Sequence, residues 1–256
     1  MEGPYADERF PADPYPGAVP PTSFVHVDRT GLPLVAGLVA GEPLDDWLAA
    51  RGAAPSSARL AVLSYGSNRN PSKITWLREF LGLGPEPVVV LRVRTSGLAA
   101  VWAYGLRTRD GARPAVLAAV PGVVEEHAVW LATPEQVAVL NACEGASPDG
   151  DGRYRLARMR TGEVRTDDGT LLPDVHAYVG NAPARHPLLV DGAMVRCADV
   201  PQEVARTLVG EAHAPREQGR QAADDTEVWT APGSGLRALS LTTTTATSEI
   251  SDATAR

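Results

Sequence analysis

The pattern of apolar and polar positions divides the chain into a polar start, a patterned centre and a polar end. Residues 1–30 are rich in Pro, Asp and Gly and show no apolar period, which predicts a disordered, Pro-rich arm. Residues 31–59 form an N-terminal extension to the patterned region, which covers residues 60–211. Residues 212–256 are polar and contain a threonine-rich run, so we expect a disordered tail there.

Two helices are predicted in the patterned region because both carry start signals. Asn70 and Pro71 provide an N-cap and a proline at the first helical position, and apolar residues recur at helical spacing as far as Leu81. The segment Thr133–Gln136 is a capping box that also places proline at the first helical position. It predicts a second helix that ends near Cys143.

Short apolar runs bounded by Gly, Pro or charged residues predict strands. The predicted strands are 60–64, 88–94, 97–103, 115–120, 127–131, 154–164 and 172–179. An Asp-Asp-Gly turn over 167–169 separates the last two, and a closing helix is predicted over 200–209. Many short strands with few helices indicate an α+β fold, a small mixed domain with a barrel-like, mostly antiparallel sheet.

Composition and charge narrow the classes of partner. The chain has 256 residues and a net charge of −7, which argues against nucleic acid, whose binders carry a basic footprint. Two cysteines without a C-x-x-C motif give no disulfide framework, so a reduced, cytoplasmic setting is expected. The start lacks the apolar core of a secretory signal, and the apolar stretch 33–41 is too short to span a membrane.

Several kinds of chemistry lack their motifs in this sequence. The five histidines show no metal-ligand spacing, so neither a structural nor a catalytic metal is expected. Ser67 is not in a G-x-S-x-G elbow, which disfavours a serine hydrolase. Glycine-rich phosphate-binding loops are also missing from the sequence. The sequence therefore gives no motif for a zinc site or for a nucleotide-phosphate loop.

The turn that follows the first predicted strand of the centre is a candidate binding site. The tetrad consists of Tyr65, Gly66, Ser67 and Asn68. Backbone N–H groups at such a strand-to-helix turn lack partners, and the helix dipole adds to their preference for an anion. The tetrad therefore predicts an anion-binding cradle, and an ordinary turn without a ligand is the alternative.

Glu144, at the predicted end of the second helix, is the candidate for proton transfer. A carboxylate there meets the negative end of the helix dipole, which raises its pKa, and partial burial would raise it further. Such a group suits general acid–base catalysis, whereas a solvated helix cap is the alternative. Cys143 is interpreted as a small buried residue, because no basic residue adjoins it in sequence to stabilise a thiolate.

The order of these features resembles the gamma-glutamylcyclotransferase-like family over about residues 60–200. The resemblance rests on the tetrad, on the run Leu140–Gly145 with its glutamate, and on Tyr154 after it. A late strand that carries Tyr178 also fits. The sequence departs from the family where Asn141 stands in place of a frequent aspartate, and where His127 or Ala128 stands in place of a glycine.

The resemblance implies a cofactor-independent enzyme that releases 5-oxoproline from a small-molecule gamma-glutamyl amine. The tetrad would bind the glutamyl group, Glu144 would be the catalytic acid–base, and Tyr154 and Tyr178 would line the pocket. The leaving amine stays open, with glutathione and gamma-glutamyl amino acids among the candidates. Two alternatives also stay open: a non-catalytic module that binds a small carboxylate, and an amide hydrolase in which Glu144 activates water.

Overall fold

The computed structural model describes residues 3–147, 151–213 and 229–230, and it has a mixed α+β fold. The strands are β1 Tyr5–Ala6, β2 Ser23–Val27, β3 Thr30–Val35, β4 Leu38–Val39, β5 Glu42–Pro43, β6 Leu60–Ser64, β7 Val88–Trp102, β8 Ala115–Ala132, β9 Tyr154–Arg158, β10 Glu163–Thr166, β11 His176–Gly180, β12 Leu188–Val190, β13 Ala193–Met194, β14 Glu211–Ala212 and β15 Trp229–Thr230. The α-helices are α1 Leu44–Ala49, α2 Pro71–Leu81, α3 Pro134–Glu144 and α4 Gln202–Ala205.

Most strands join one large, mostly antiparallel sheet in the order β5-β4-β3-β2-β7-β8-β6-β11-β9. Three further strands pair at its sides, β1 with β3, β10 with β7 and β15 with β8. The pairs β11–β6 and β15–β8 are parallel. A small second sheet has the order β13-β12-β14. The antiparallel prediction is confirmed, and α2 and α3 contact each other where the site lies.

The expected barrel does not close, because within the described residues the sheet is open between β9 and β10. β9 pairs with β11, and β10 pairs with β7. The pairings of the sheet make β9 and β10 point in the same direction, and only residues 159–162 connect them. Parallel neighbours need a crossover of about a dozen residues or more, so these two strands cannot pair with each other.

Each of the two longest strands, β7 and β8, covers two strands that were predicted separately. β7 runs through Gly97, and β8 runs through Pro121 and Gly122, although these residues look like strand ends in the sequence. The ladder passes there from the pair Ser96–Val124 directly to the pair Leu98–Ala119, so the four residues 120–123 of β8 lie opposite one residue of β7. The residues left out of the ladder form a bulge that bends the strand pair, and Gly97 adopts the φ of +77° that the bulge requires.

The helix predictions are confirmed for α2 and α3. Asn70 caps α2 by accepting the N–H of Lys73 at 3.2 Å, and Thr133 and Gln136 form the reciprocal capping box of α3. The predicted closing helix shrinks to the four residues of α4. The Arg113 guanidinium donates to the carbonyl oxygens of Ala205 and Leu208, which a longer helix would use for its own hydrogen bonds.

The N-terminal arm, predicted to be disordered, joins the sheet from Tyr5 onward. β1 pairs with β3 and β2 pairs with β7, while Tyr5, Phe10 and Phe24 are buried in the main core. These aromatic residues stand singly among prolines, so the sequence shows no period there although each finds a place in the core. The 31–59 extension continues the same sheet through β3, β4 and β5.

Most of the predicted disordered tail, residues 212–256, lies outside the described residues. The described part comprises residues 212–213 at the end of β14 and the strand β15, which pairs with β8. No described helix has the length and apolarity needed to cross a membrane.

Candidate functional site

A cavity of about 330 Å³ lies where β6 turns toward α2 and α3 ends. It brings together all the residues that the sequence predicts for the site, although they are spread over more than a hundred positions. These residues are Tyr65, Gly66, Ser67, Asn68, Glu144, Tyr154 and Tyr178. The tetrad follows β6, and Glu144 is the last residue of α3. Tyr154 lies in β9 and Tyr178 lies in β11.

The tetrad forms a separate turn and not the first turn of α2. Residues 67–69 form a single 3-10 turn, and α2 begins only at Pro71. Among the described residues, none accepts a hydrogen bond from the backbone N–H of Gly66, Ser67 or Asn68. The Trp130 indole N–H donates to the Asn68 carbonyl oxygen at 2.7 Å and holds the turn on β8. The turn therefore offers three unpaired amides, which suit an anion.

Glu144 is the last residue of α3 and faces the tetrad across the cavity. Its Oε1 accepts a hydrogen bond of 2.7 Å from Asn68 Nδ2. Burial raises the pKa of this carboxyl group, whereas the Asn68 hydrogen bond and the charge of Lys73 act in the opposite direction. Gly145 ends the helix with a φ of +64°, as the αL helix cap requires. A partly buried carboxyl group with a raised pKa is suited to moving protons near neutral pH.

Tyr65, Tyr154 and Tyr178 line the cavity, and each donates its hydroxyl proton to an oxygen of the protein. Tyr154 donates to the Ala115 carbonyl at 3.1 Å, and Tyr65 donates to the Tyr178 carbonyl. Tyr178 in turn donates to Asn141 Oδ1 at 2.7 Å, which gives that departure from the family pattern a structural role. Burial raises the pKa of all three phenols, so they stay neutral.

The cavity also contains two aromatic and five basic residues that were not predicted from the sequence. They are Tyr15, Lys73, Trp76, Arg107, Arg109, Arg153 and Arg185. Arg153 donates to the carbonyl oxygens of Cys143 and Glu144 and so serves the C-terminus of α3. The surplus of positive charge around one carboxylate favours an anionic ligand. One of these residues stands out in the sequence, because Lys73 is the only lysine of the chain.

The fold places a basic residue, Lys73, beside Cys143, although no basic residue adjoins Cys143 in the sequence. The Lys73 ammonium acts electrostatically on the Cys143 thiol, and it lies 3.6 Å from the centroid of the Trp76 ring. Burial nevertheless raises the pKa of the Cys143 thiol, because it outweighs the nearby positive charge. Burial also lowers the pKa of Lys73. Cys143 therefore remains a thiol near neutral pH.

His127, the other departure from the family pattern, lies outside this cavity. It is buried beside Glu125, with 3.2 Å between its Nε2 and Glu125 Oε2. It lines a second cavity of about 360 Å³, which shares Tyr15 and Tyr65 with the first. Burial lowers the pKa of His127, so it is neutral in the folded protein.

A metal site is not found in the part of the chain that the structure describes. Within that part, no group of three or more His, Cys, Asp or Glu side chains is placed to hold a metal ion. Cys143 and Cys197 are both free cysteines.

Comparison with known proteins gives limited matches. No family model matches the chain, and no curated protein matches it. A solved structure named gamma-glutamyl cyclotransferase is similar with a TM-score of 0.35 and 16% identity, over 47% of this chain and 66% of that one. An uncharacterized protein from Homo sapiens is similar with a TM-score of 0.37 and 16% identity, over 49% of this chain and 68% of that one. The chain thus spans slightly less than two thirds of the length of the cyclotransferase.

Proposed function

We propose that the protein releases 5-oxoproline from a gamma-glutamyl amine by intramolecular cyclisation. The observation that carries the proposal is the pairing of a partly buried Glu144 with the three unpaired amides of the tetrad across one cavity. The same residues carry the sequence resemblance to gamma-glutamylcyclotransferases. In such a substrate the alpha-amine is the nucleophile, so the enzyme needs neither a nucleophile nor a metal of its own.

The tetrad would hold the alpha-carboxylate of the glutamyl group. The amides of Gly66, Ser67 and Asn68 supply donors, and the surrounding arginines and Lys73 supply positive charge. A fixed carboxylate leaves the alpha-amine and the gamma-carbonyl as the groups that remain to be oriented. Holding them in a reactive geometry is worth about 7–11 kcal/mol of the barrier.

Glu144 would carry the protons. As a carboxylate it takes one proton from the alpha-ammonium, and the freed amine attacks the gamma-carbonyl carbon. Glu144 returns this proton to the leaving nitrogen as the bond from that carbon to the nitrogen breaks. The ring nitrogen then still carries two protons, and Glu144 relays one of them to the departing amine. Of the three ammonium protons, one stays on the lactam nitrogen and two end on the departing amine, which leaves as an ammonium ion. Proton transfer of this kind contributes roughly 10²–10⁴-fold to the rate.

The test is incubation of the purified protein with a panel of gamma-glutamyl amines, followed by mass spectrometry. We expect 5-oxoproline from the wild type and a loss of about 10²–10⁴-fold in Glu144→Gln, which keeps the shape and removes the base. Glu135→Gln, on the exposed first turn of the same helix, is the matched control and should keep full activity. Release of glutamate would indicate hydrolysis, and binding of a carboxylate without turnover would indicate a binding module.

A further inference from the structure

The segment of residues 10–18, here called the strap, is fastened to the start of α2 beside the cavity. Asn70 Nδ2 donates to the carbonyl oxygens of Pro11, at 3.0 Å, and of Ala18. The strap also closes on itself, because the Ala18 N–H donates to the Pro11 carbonyl at 2.9 Å. One asparagine thus caps α2 and holds both ends of the strap next to the tetrad.

Tyr15, in the middle of the strap, is inserted into the protein and lines the cavity. Its side chain is buried, and its ring centroid lies 6.4 Å from that of Trp102. The Arg107 guanidinium lies 4.6 Å from the ring centroid on the cavity side. The Tyr15 hydroxyl oxygen accepts the N–H of Ala115 at 3.0 Å, which fixes its position.

The Tyr15 hydroxyl lies against the backbone of the tetrad. A Cβ atom placed on Gly66 would come within 2.8 Å of the hydroxyl oxygen, and the next atom of the tyrosine would be 3.7 Å away. Only the hydroxyl group therefore requires a glycine at this position. Gly66 belongs to the turn whose amides are unpaired, so the hydroxyl stands at the anion cradle itself.

The hydroxyl proton of Tyr15 differs from those of the other cavity tyrosines. Tyr65, Tyr154 and Tyr178 each donate to an oxygen of the protein. The Tyr15 oxygen accepts a hydrogen bond, and across the described residues none accepts one from it. Burial raises the pKa of Tyr15 far above the neutral range, so the proton is present at every working pH.

From this geometry we infer that Tyr15 is a further substrate-binding residue, whose hydroxyl donates to the carboxylate oxygen held by the tetrad. The inference rests on the proposed function, because that function places a carboxylate at the tetrad. The N-terminal strap then belongs to the active site, although it lies outside the region of family resemblance. Tyr15 binds the ligand without adding charge and takes no part in the proton transfer.

The first test is calorimetric binding of L-glutamate, which carries the glutamyl head group but cannot be turned over. We expect Tyr15→Phe to weaken binding about tenfold or more, since a hydrogen bond to a charged group is lost. Tyr5→Phe is the matched control, because its hydroxyl bonds Thr22 at 2.6 Å on the same arm and away from the cavity. It should bind L-glutamate like the wild type.

The outcomes separate the two proposals. If the wild type binds L-glutamate and Tyr15→Phe binds it equally well, the role of Tyr15 is wrong while the glutamyl site stands. If the wild type does not bind L-glutamate, the glutamyl site itself is wrong, and the role of Tyr15 falls with it. In turnover, Tyr15→Phe should raise KM and leave kcat and the pH profile nearly unchanged, whereas loss of kcat alone would contradict a binding role.

The second test concerns the placement of the hydroxyl and needs no ligand. Gly66→Ala should lower the Tm of the wild type, because the new Cβ meets the Tyr15 hydroxyl at 2.8 Å. The same substitution in a Tyr15→Phe background should lower the Tm less, because the nearest remaining ring atom is 3.7 Å away. Equal losses in both backgrounds would show that the hydroxyl does not lie at Gly66 and would overturn the inference.

Discussion

Asn68 Nδ2 donates a hydrogen bond of 2.7 Å to Glu144 Oε1, and this bond joins two parts of the site that are 76 positions apart. It fixes the tetrad against the end of α3. It also stabilises the ionised form of a carboxyl group whose burial favours the neutral form. The bond therefore adjusts the protonation of Glu144 as well as its position.

The first prediction concerns the pH dependence of activity in Asn68→Ala. Loss of the hydrogen bond removes an interaction with the carboxylate, so the pKa of Glu144 should rise further. The proposed base must be ionised, so the acid limb of the kcat/KM profile should move to higher pH. Profiles of the wild type and the variant on the same substrate test this.

The backbone of residue 68 should stay in place in that variant, because Trp130 holds its carbonyl oxygen and not its side chain. A general collapse of the site would lower the whole profile without moving its acid limb. An acid limb at the wild-type pH would show that Asn68 does not act on the ionisation of Glu144.

The second prediction is that Glu144→Gln is more thermostable than the wild type at neutral pH. Burial raises the folded-state pKa of Glu144, so the folded protein holds this proton over a range where the unfolded chain has lost it. Stability therefore falls as the pH rises through that range. The neutral Gln keeps an oxygen for Asn68 and avoids the cost of a buried charge.

Thermal unfolding at several pH values tests this prediction. The Tm advantage of Glu144→Gln should shrink as the pH falls from the raised folded-state pKa toward the unfolded-state value of about 4.3, and below about 4, where Glu144 is protonated in both states, it should be gone. Glu135→Gln, on the exposed surface of α3, should show no such trend. A variant that is less stable than the wild type at neutral pH would mean that the carboxylate is stabilised where it lies.

Local signals account for the parts of the fold that the sequence predicts. The bounds of α2 and the capping box of α3 follow from residues within four positions of each other, such as Asn70 with Lys73 and Thr133 with Gln136. The bulge at Gly97 was predicted as a strand end because a local turn signal cannot show that a partner strand continues beyond it. The arm was predicted to be disordered because its aromatic residues act singly.

The residues of the candidate site divide in the same way, into those that a local pattern indicates and those that only tertiary packing brings to the site. The tetrad and Glu144 were predicted because they resemble a known motif, and the predictions for Tyr154 and Tyr178 followed from it. Tyr15 is separated from the tetrad by fifty positions and approaches it only through tertiary packing, so no local pattern indicates it. Lys73 lies one turn into α2, where its side chain meets Cys143 of another helix.

The third prediction concerns Asn70, which does more than cap a helix. Its side chain accepts the N–H of Lys73 and donates to the carbonyl oxygens of Pro11 and Ala18. Asn70→Ala should therefore lose the cap, worth about 1 kcal/mol, and in addition the Ala18 carbonyl should lose its donor, at about 1–3 kcal/mol, while the Pro11 carbonyl keeps the N–H of Ala18. Denaturant unfolding gives the difference in stability.

Thr133→Ala is the matched control, because Thr133 caps α3 and makes no contact with the strap. It should cost only the cap, about 1 kcal/mol. Limited proteolysis should also cut the strap faster in Asn70→Ala than in Thr133→Ala. Equal costs and equal cleavage in the two variants would show that the strap is held by other contacts.

The fourth prediction uses the single lysine of the chain as a chemical probe of the cavity. Burial lowers the pKa of Lys73, so more of its amine is neutral at pH 8 than in an ordinary lysine. Trinitrobenzenesulfonate, which reacts with neutral amines, should modify Lys73 with a pH midpoint below that of N-α-acetyl-lysine in the same solution. Peptide mass spectrometry assigns the modified residue.

Because Lys73 and Glu144 line the same cavity, the modified protein should lose activity, and L-glutamate should slow the modification. A midpoint equal to that of acetyl-lysine, with no protection by L-glutamate, would place the amine outside the ligand site.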